Sequence, residues 1–108
     1  GAEGIEINQP ANNGGTSLYA ASQRCHAEIV KLLLGAEGIQ VNKSDIQGAT
    51  PLFFASQNNR IENVKLLLGA DGIEINQPVN NGATALAIAK QKKYEEIVQL
   101  LTVAGATE

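Results

Sequence analysis

Alternating apolar positions and three-spaced apolar stripes follow one another in three rounds along the chain. Each round opens with an alternating pair: Ile5 and Ile7, then Ile39 and Val41, then Ile73 and Ile75. A period of two puts both members of a pair on one face and turns Glu6, Gln40 and Glu74 to the other. Gly14, Gly48 and Gly82 follow, where a turn needs a residue that tolerates positive φ, and Asn13-Gly14 and Asn81-Gly82 are turn dipeptides. Thr16, Thr50 and Thr84 then stand where a helix N-cap belongs, and Pro51 suits the first helical position. Leu18 and Ala21, with Leu52 and Ala55, and Leu86 and Ala89, mark the buried stripe of a first helix over Ser17 to Gln23 and its equivalents. A second helix is predicted over Ala27 to Leu34, Ile61 to Leu68 and Glu95 to Leu101, with Val30, Leu33 and Leu34 as its apolar face. Glu28, Glu62 and Glu96 in its first turn, and Lys31 and Lys65 later, agree with the helix dipole.

These rounds are one repeat. The copies run over 1–34, 35–68 and 69–102, a period of 34 that accounts for 102 of 108 residues; 103–108 form a tail that starts a fourth. One helix pair cannot hide its own apolar face, so neighbouring pairs must stack into a continuous core. The length fits a single domain over 1–108. The chain opens in the middle of a repeat unit, which is expected of a piece of a longer array.

Composition narrows the function. Eight basic against eleven acidic residues leave a charge of −3, a poor match to a phosphate backbone, so nucleic acid is not the expected partner. No apolar run could span a bilayer, so no membrane role is expected either. Cys25 has no second cysteine to pair with, which fits a reducing, cytoplasmic setting inside the cell. Cys25 and His26 are the only soft ligands, too few for zinc, and no cofactor is expected.

Gly48-Ala49-Thr50-Pro51-Leu52-Phe53-Phe54-Ala55 and Val64-Lys65-Leu66-Leu67-Leu68, with Val41-Asn42 ahead of them, resemble the ankyrin repeat. The likeness covers essentially the whole chain. It implies an all-α solenoid: a stack of antiparallel helix pairs with hairpin fingers projecting from it. Three departures stand out. The period exceeds the usual 33 by one residue, placed in the Gly35–Gly38 connection. The usual first-helix histidine is replaced by Tyr19, Phe53 and Ala87, so its hydrogen bond is expected to be lost. The usual glycine between the helices is replaced by Cys25, Asn59 and Lys93; Asn tolerates left-handed backbone, Cys and Lys do so less readily, and some strain or altered turn geometry is expected there. In copy two, Ile61 is expected to pack and Asn63 to tip outward, sparing a buried amide.

Catalysis is not expected. Glu3, Glu37 and Asp71 are a translated row rather than a carboxylate pair, and Cys25-His26 has no third residue to orient the imidazole. The glycines return in each copy as turn residues, not as a phosphate loop. Lys90, Lys92 and Lys93 read as a solvated end cap. Asn42-Lys43-Ser44 is a glycosylation sequon by pattern, yet Asn8 and Asn76 share its place without one, which favours a structural role. The resemblance also makes Asn76, and less well Asn42, candidates for asparaginyl hydroxylation.

What remains is a noncatalytic module that binds another protein. The resemblance implies a concave strip of finger tips and first-helix ends: Asn12, Asn13, Gln23 and Arg24 in copy one, Ile46, Gln47, Gln57 and Asn58 in copy two, and Asn80, Asn81, Gln91 and Lys92 in copy three. The triplets Asn12/Ile46/Asn80 and Arg24/Asn58/Lys92 vary where stacking positions repeat. The alternatives are a spacer or cap within a longer array, and an accessory domain of an enzyme. A monomer is expected, with weak self-association through the N-terminal repeat face.

Overall fold

The computed structural model describes residues 16–22, 24 and 26–107, with Ser17 described by its backbone alone. Six helices lie among them: α1 Ser17–Ser22, α2 Ala27–Leu34, α3 Pro51–Gln57, α4 Ile61–Leu68, α5 Ala85–Gln91 and α6 Glu95–Val103. No strand occurs among the described residues. The first helices, α1, α3 and α5, stack on one another as one layer, and α2, α4 and α6 form the second. Each first helix also packs on the second helix of its own pair. The predicted solenoid is the fold observed. The N-terminal finger and turn, with Ile5, Ile7, Asn8 and Gly14, and also Gln23 and Cys25, lie outside the described residues.

Local chemistry sets the helix boundaries. The hydroxyls of Thr16, Thr50 and Thr84 accept from the N–H groups of Tyr19, Phe53 and Ala87 at 3.3, 3.2 and 3.1 Å. At the far end of α3, Arg60 N–H donates to Ala55 O and Asn59 N–H to Ser56 O; Tyr94 and Lys93 repeat the pair on Ala89 and Lys90 after α5. This double closure needs a left-handed residue after the cap. Asn59 (φ 57°) supplies it readily and Lys93 (φ 62°) against its preference, so at Lys93 the left-handed backbone is kept rather than the turn geometry altered. Helix α6 overruns its expected end by two residues, because Val103 stands where Gly35 and Gly69 stop α2 and α4. Gly105 (φ 107°) then closes it.

Leu18, Leu52 and Leu86, with Ala21, Ala55 and Ala89, form the buried seam of the first layer, and Val30, Val64, Leu67, Ile97 and Leu101 that of the second. The alanines let the layers approach closely, and truncating any of the leucines costs about 2–5 kcal/mol.

Asn63 corrects the expectation. It is 2% exposed and points inward. Its Nδ2 donates to Arg24 O at 2.6 Å and Ser22 O at 3.0 Å, with a longer approach to Ala21 O at 3.4 Å. The main-chain carbonyls that end α1 offer acceptors, so the amide is satisfied rather than expelled. Ile97, at the same repeat position, is fully buried; Ile29 is 47% exposed and Leu32 73%. This position faces the preceding copy, and among the described residues none precedes α1.

Candidate functional site

The finger of copy two is a tight turn rather than a strand pair. Asp45 N–H donates to Ala49 O at 2.9 Å, and Gly48 N–H returns to Asp45 O at 3.0 Å. The finger of copy three repeats this, with Val79 N–H to Ala83 O and Gly82 N–H to Val79 O. Gly48 and Gly82 adopt the positive φ that the turn requires, 85° and 93°. A side-chain acceptor braces each tip from a different position. In copy two, Asp45 Oδ1 accepts from Gln47 N–H and Ala49 N–H; in copy three, Asn81 Oδ1 accepts from Ala83 N–H.

Neighbouring fingers are tied to each other. Asn80 N–H donates to Gln47 O at 2.8 Å, and Asn80 Nδ2 to Ile46 O at 3.1 Å. Nearer the base, Asn42 Nδ2 donates to Gly72 O and its Oδ1 accepts from Glu74 N–H, both at 2.8 Å. Asn42 therefore clasps one finger to the next, in keeping with its structural reading. Asn76 Oδ1 likewise accepts from Thr107 N–H at 2.8 Å.

Between these fingers and the first-helix layer lies a groove of about 370 Å³, lined by Gln47, Ala49, Phe53, Phe54, Gln57, Val79, Asn80 and Asn81. Its polar lining consists of carboxamides, each able both to donate and to accept. Phe53 and Phe54 line its floor, and Tyr19 packs against Phe54 from outside the lining. Phe54 meets Tyr19 edge-on at 4.6 Å between ring centres and Phe53 at 6.0 Å. The Tyr19 hydroxyl donates to Asp45 Oδ2 at 2.8 Å. The hydrogen bond expected to vanish with the histidine is thus replaced at Tyr19 by a different one, reaching into the next copy. Burial first, then the hydrogen bond and the charge of Asp45, push the Tyr19 phenol up to about 12. It stays a neutral donor across the ordinary pH range.

The structure brings Gln47, Gln57, Asn80 and Asn81 together around one groove. Ile46 projects at the finger tip, 71% exposed. Arg24, Gln91 and Lys92 are exposed at or after first-helix ends. Asn58 caps α3, its Nδ2 held by Phe54 O at 2.9 Å, so it is tied to its own helix and does not line the groove. Asn12, Asn13 and Gln23 lie outside the described residues. Sequence reasoning missed Phe53, Phe54, Tyr19 and Asp45 as parts of this site. The available signal was Phe54, which stands where the sister copies carry Ala20 and Ile88.

The described residues contain no group of three or more His, Cys, Asp or Glu side chains able to hold a metal ion. His26 is exposed at the start of α2, and its possible companion Cys25 lies outside the described residues. Among the described residues no helix is long and apolar enough to cross a membrane.

A family model described as ankyrin repeats, three copies, matches residues 2–79. No curated protein matches the chain significantly. Ankyrin repeats are generally protein–protein interaction modules and typically noncatalytic. The match spans well over half of the sequence, and α5 and α6 carry the same helix pair beyond it. With capped, paired helices stacked in two layers, the chain belongs to the ankyrin repeat family.

Proposed function

We propose that this chain is a noncatalytic interaction module, one domain over 1–108, that holds a partner protein against its concave strip. The observation that carries this is the groove between the second and third fingers. It combines an aromatic floor with a carboxamide rim on a backbone fixed by the Asn80 bonds. A rigid frame keeps the ordering cost of binding low, and a floor of this kind suits one apolar anchor. Arg24, Ile46, Gln91 and Lys92 extend the strip beyond the groove, and Asn12, Asn13 and Gln23 extend it by repeat equivalence.

A photo-crosslinking residue placed at Ile46 or Asn81, and in parallel at Lys65 or Gln99 on the second helices, tests the reading in cells that express the protein. Adducts with one common protein from the concave positions are expected. Adducts only from the second-helix positions, or none from any, would sink it. Against the captured partner, Ile46→Glu should weaken binding by about 1–2 kcal/mol and shift stability by less than about 0.5 kcal/mol.

The second reading, a spacer within a longer array, is favoured by Ile29 and Leu32, apolar and exposed on α2 where later copies bury or half-bury their equivalents. The same face could support weak self-association; light scattering of a monomer up to millimolar concentration would refute that.

A further inference from the structure

Resting on the concave-face reading, we infer that the groove's occupant is a short acidic segment of a partner protein, held extended with one apolar side chain over Phe54. The chain is acidic overall, yet its charges are segregated. Residues 16–26, 50–60 and 84–94, the first helices with their following loops, hold Arg24, Arg60, Lys90, Lys92 and Lys93 and no acidic residue at all. These segments carry +5; the remainder carries three basic and eleven acidic residues, or −8, which restores the total of −3.

Packing turns this linear pattern into a spatial one. The first helices stack as one layer, and the second helices, with Glu28, Glu62, Glu95 and Glu96 in their first turns, stack as the other. Arg24 after α1 and Lys92 after α5 are both exposed, in the copies on either side of the one that floors the groove. Between them the groove lining is uncharged. The carboxylate nearest to it in the finger, Asp45, already accepts from the Tyr19 hydroxyl and two backbone N–H groups. Lys90 and Lys93 border a depression shared with Glu95 on the end of the stack, so Lys92 is the lysine assigned to the occupant.

Distance sets the motif. First helices of copies one and three lie two helix spacings apart within their layer, about 16–20 Å at roughly 8–10 Å per spacing. Extended chain covers that in about five or six residues at ~3.3 Å each. The fitting segment therefore places a carboxylate two or three residues to either side of its apolar anchor. Its main chain meets the carboxamides of Gln47, Gln57 and Asn81. A long phosphate polymer is disfavoured, because the acids of the other layer repel an extended polyanion that a short segment escapes.

The test is selection of a displayed library of random twelve-residue peptides on the whole chain, followed by titration of the enriched peptides by fluorescence anisotropy. Expected are peptides with an aliphatic or aromatic residue flanked on both sides by Asp or Glu. Arg24→Glu and Lys92→Glu should each weaken them at least five-fold, and Lys65→Glu on α4 less than two-fold. Replacing by lysine only the peptide acid that faces position 92, with the acid that faces Arg24 kept, should restore binding to the Lys92→Glu chain. Enriched peptides that are basic or uncharged, and that lose affinity on Phe54→Gln or Gln57→Ala but not on Lys92→Glu, overturn the acidic occupant while leaving the groove reading intact. Equal weakening by Lys65→Glu, or displacement by oligo(dT) at concentrations matching the peptide itself, also overturns it. Failure to enrich any peptide, or peptides indifferent to both Phe54→Gln and Gln57→Ala in folded chains, overturns both readings.

Discussion

Gly48 and Gly82 occupy the same repeat position with nearly the same left-handed backbone, φ 85° and 93°, yet they should respond very differently to alanine. Both substitutions force a side chain into the left-handed region, which costs about 1–2 kcal/mol. Both also restrict the unfolded chain, which offsets about 0.5–1 kcal/mol of that. At Gly82 nothing lies within 4 Å of the added Cβ, so the balance, about 0–1.5 kcal/mol, is the whole effect. At Gly48 the Cβ would sit 2.8 Å from Asn80 Oδ1, 3.1 Å from Asn80 N and 3.2 Å from Val79 Cα. The carboxamide can rotate away, but only by giving up its bond to Ile46 O, and the backbone contacts cannot yield without separating the fingers. Overpacking of this kind adds about 1–3 kcal/mol. Urea denaturation followed by circular dichroism should therefore place Gly48→Ala about 1–3 kcal/mol below Gly82→Ala. Midpoints within 0.5 kcal/mol of each other, or a larger loss at Gly82, would refute the inter-finger packing that shapes the groove.

Asn63→Ala should destabilise by about 2–4 kcal/mol, through lost hydrogen bonds and unpaired carbonyls, and Asn63→Asp by more, since a carboxylate would face carbonyl oxygens; a tolerated Asp variant in a denaturant melt would contradict the inward amide. Lys93→Gly should raise stability by about 0.5–1 kcal/mol by relieving left-handed strain, and an unchanged or lower melting midpoint would show that no strain is stored there. Because the phenol of Tyr19 titrates higher in the folded chain than in the unfolded one, its contribution is fully present below about pH 10 and is lost as pH rises towards about 12. Tyr19→Phe should abolish that part of the alkaline loss and cost about 1 kcal/mol at neutral pH; ultraviolet titration showing Tyr19 ionising near pH 10 in the folded chain would refute the Asp45 bond.

Most of what is decided within a few residues of its own position was legible in the sequence; the end of α6, two residues late, was not. The threonine caps, the proline at the start of α3, the left-handed Gly48, Gly82, Asn59 and Lys93, and the Leu/Ala stripe each follow from local backbone chemistry or helical spacing. The period of 34 then required stacking, because no pair could bury its own face. The even lining of the candidate site was legible only in part. Variation between copies picked out Ile46, Asn80 and Lys92, but it could not show that Asn58 is tied to its own helix or that Phe54 floors the groove.

What only the tertiary structure decided lies between copies. Asn63 turns inward because carbonyls 39 to 42 residues earlier come within reach. Tyr19 regains a hydrogen bond because the finger of the next copy brings Asp45 to it. Ile29 and Ile97 share a repeat position and opposite fates, since only one of them has a described copy in front of it. Local spacing specifies which face of an element is apolar; it takes the neighbouring layer to determine whether that face, or a polar group upon it, meets water, a carbonyl or another side chain.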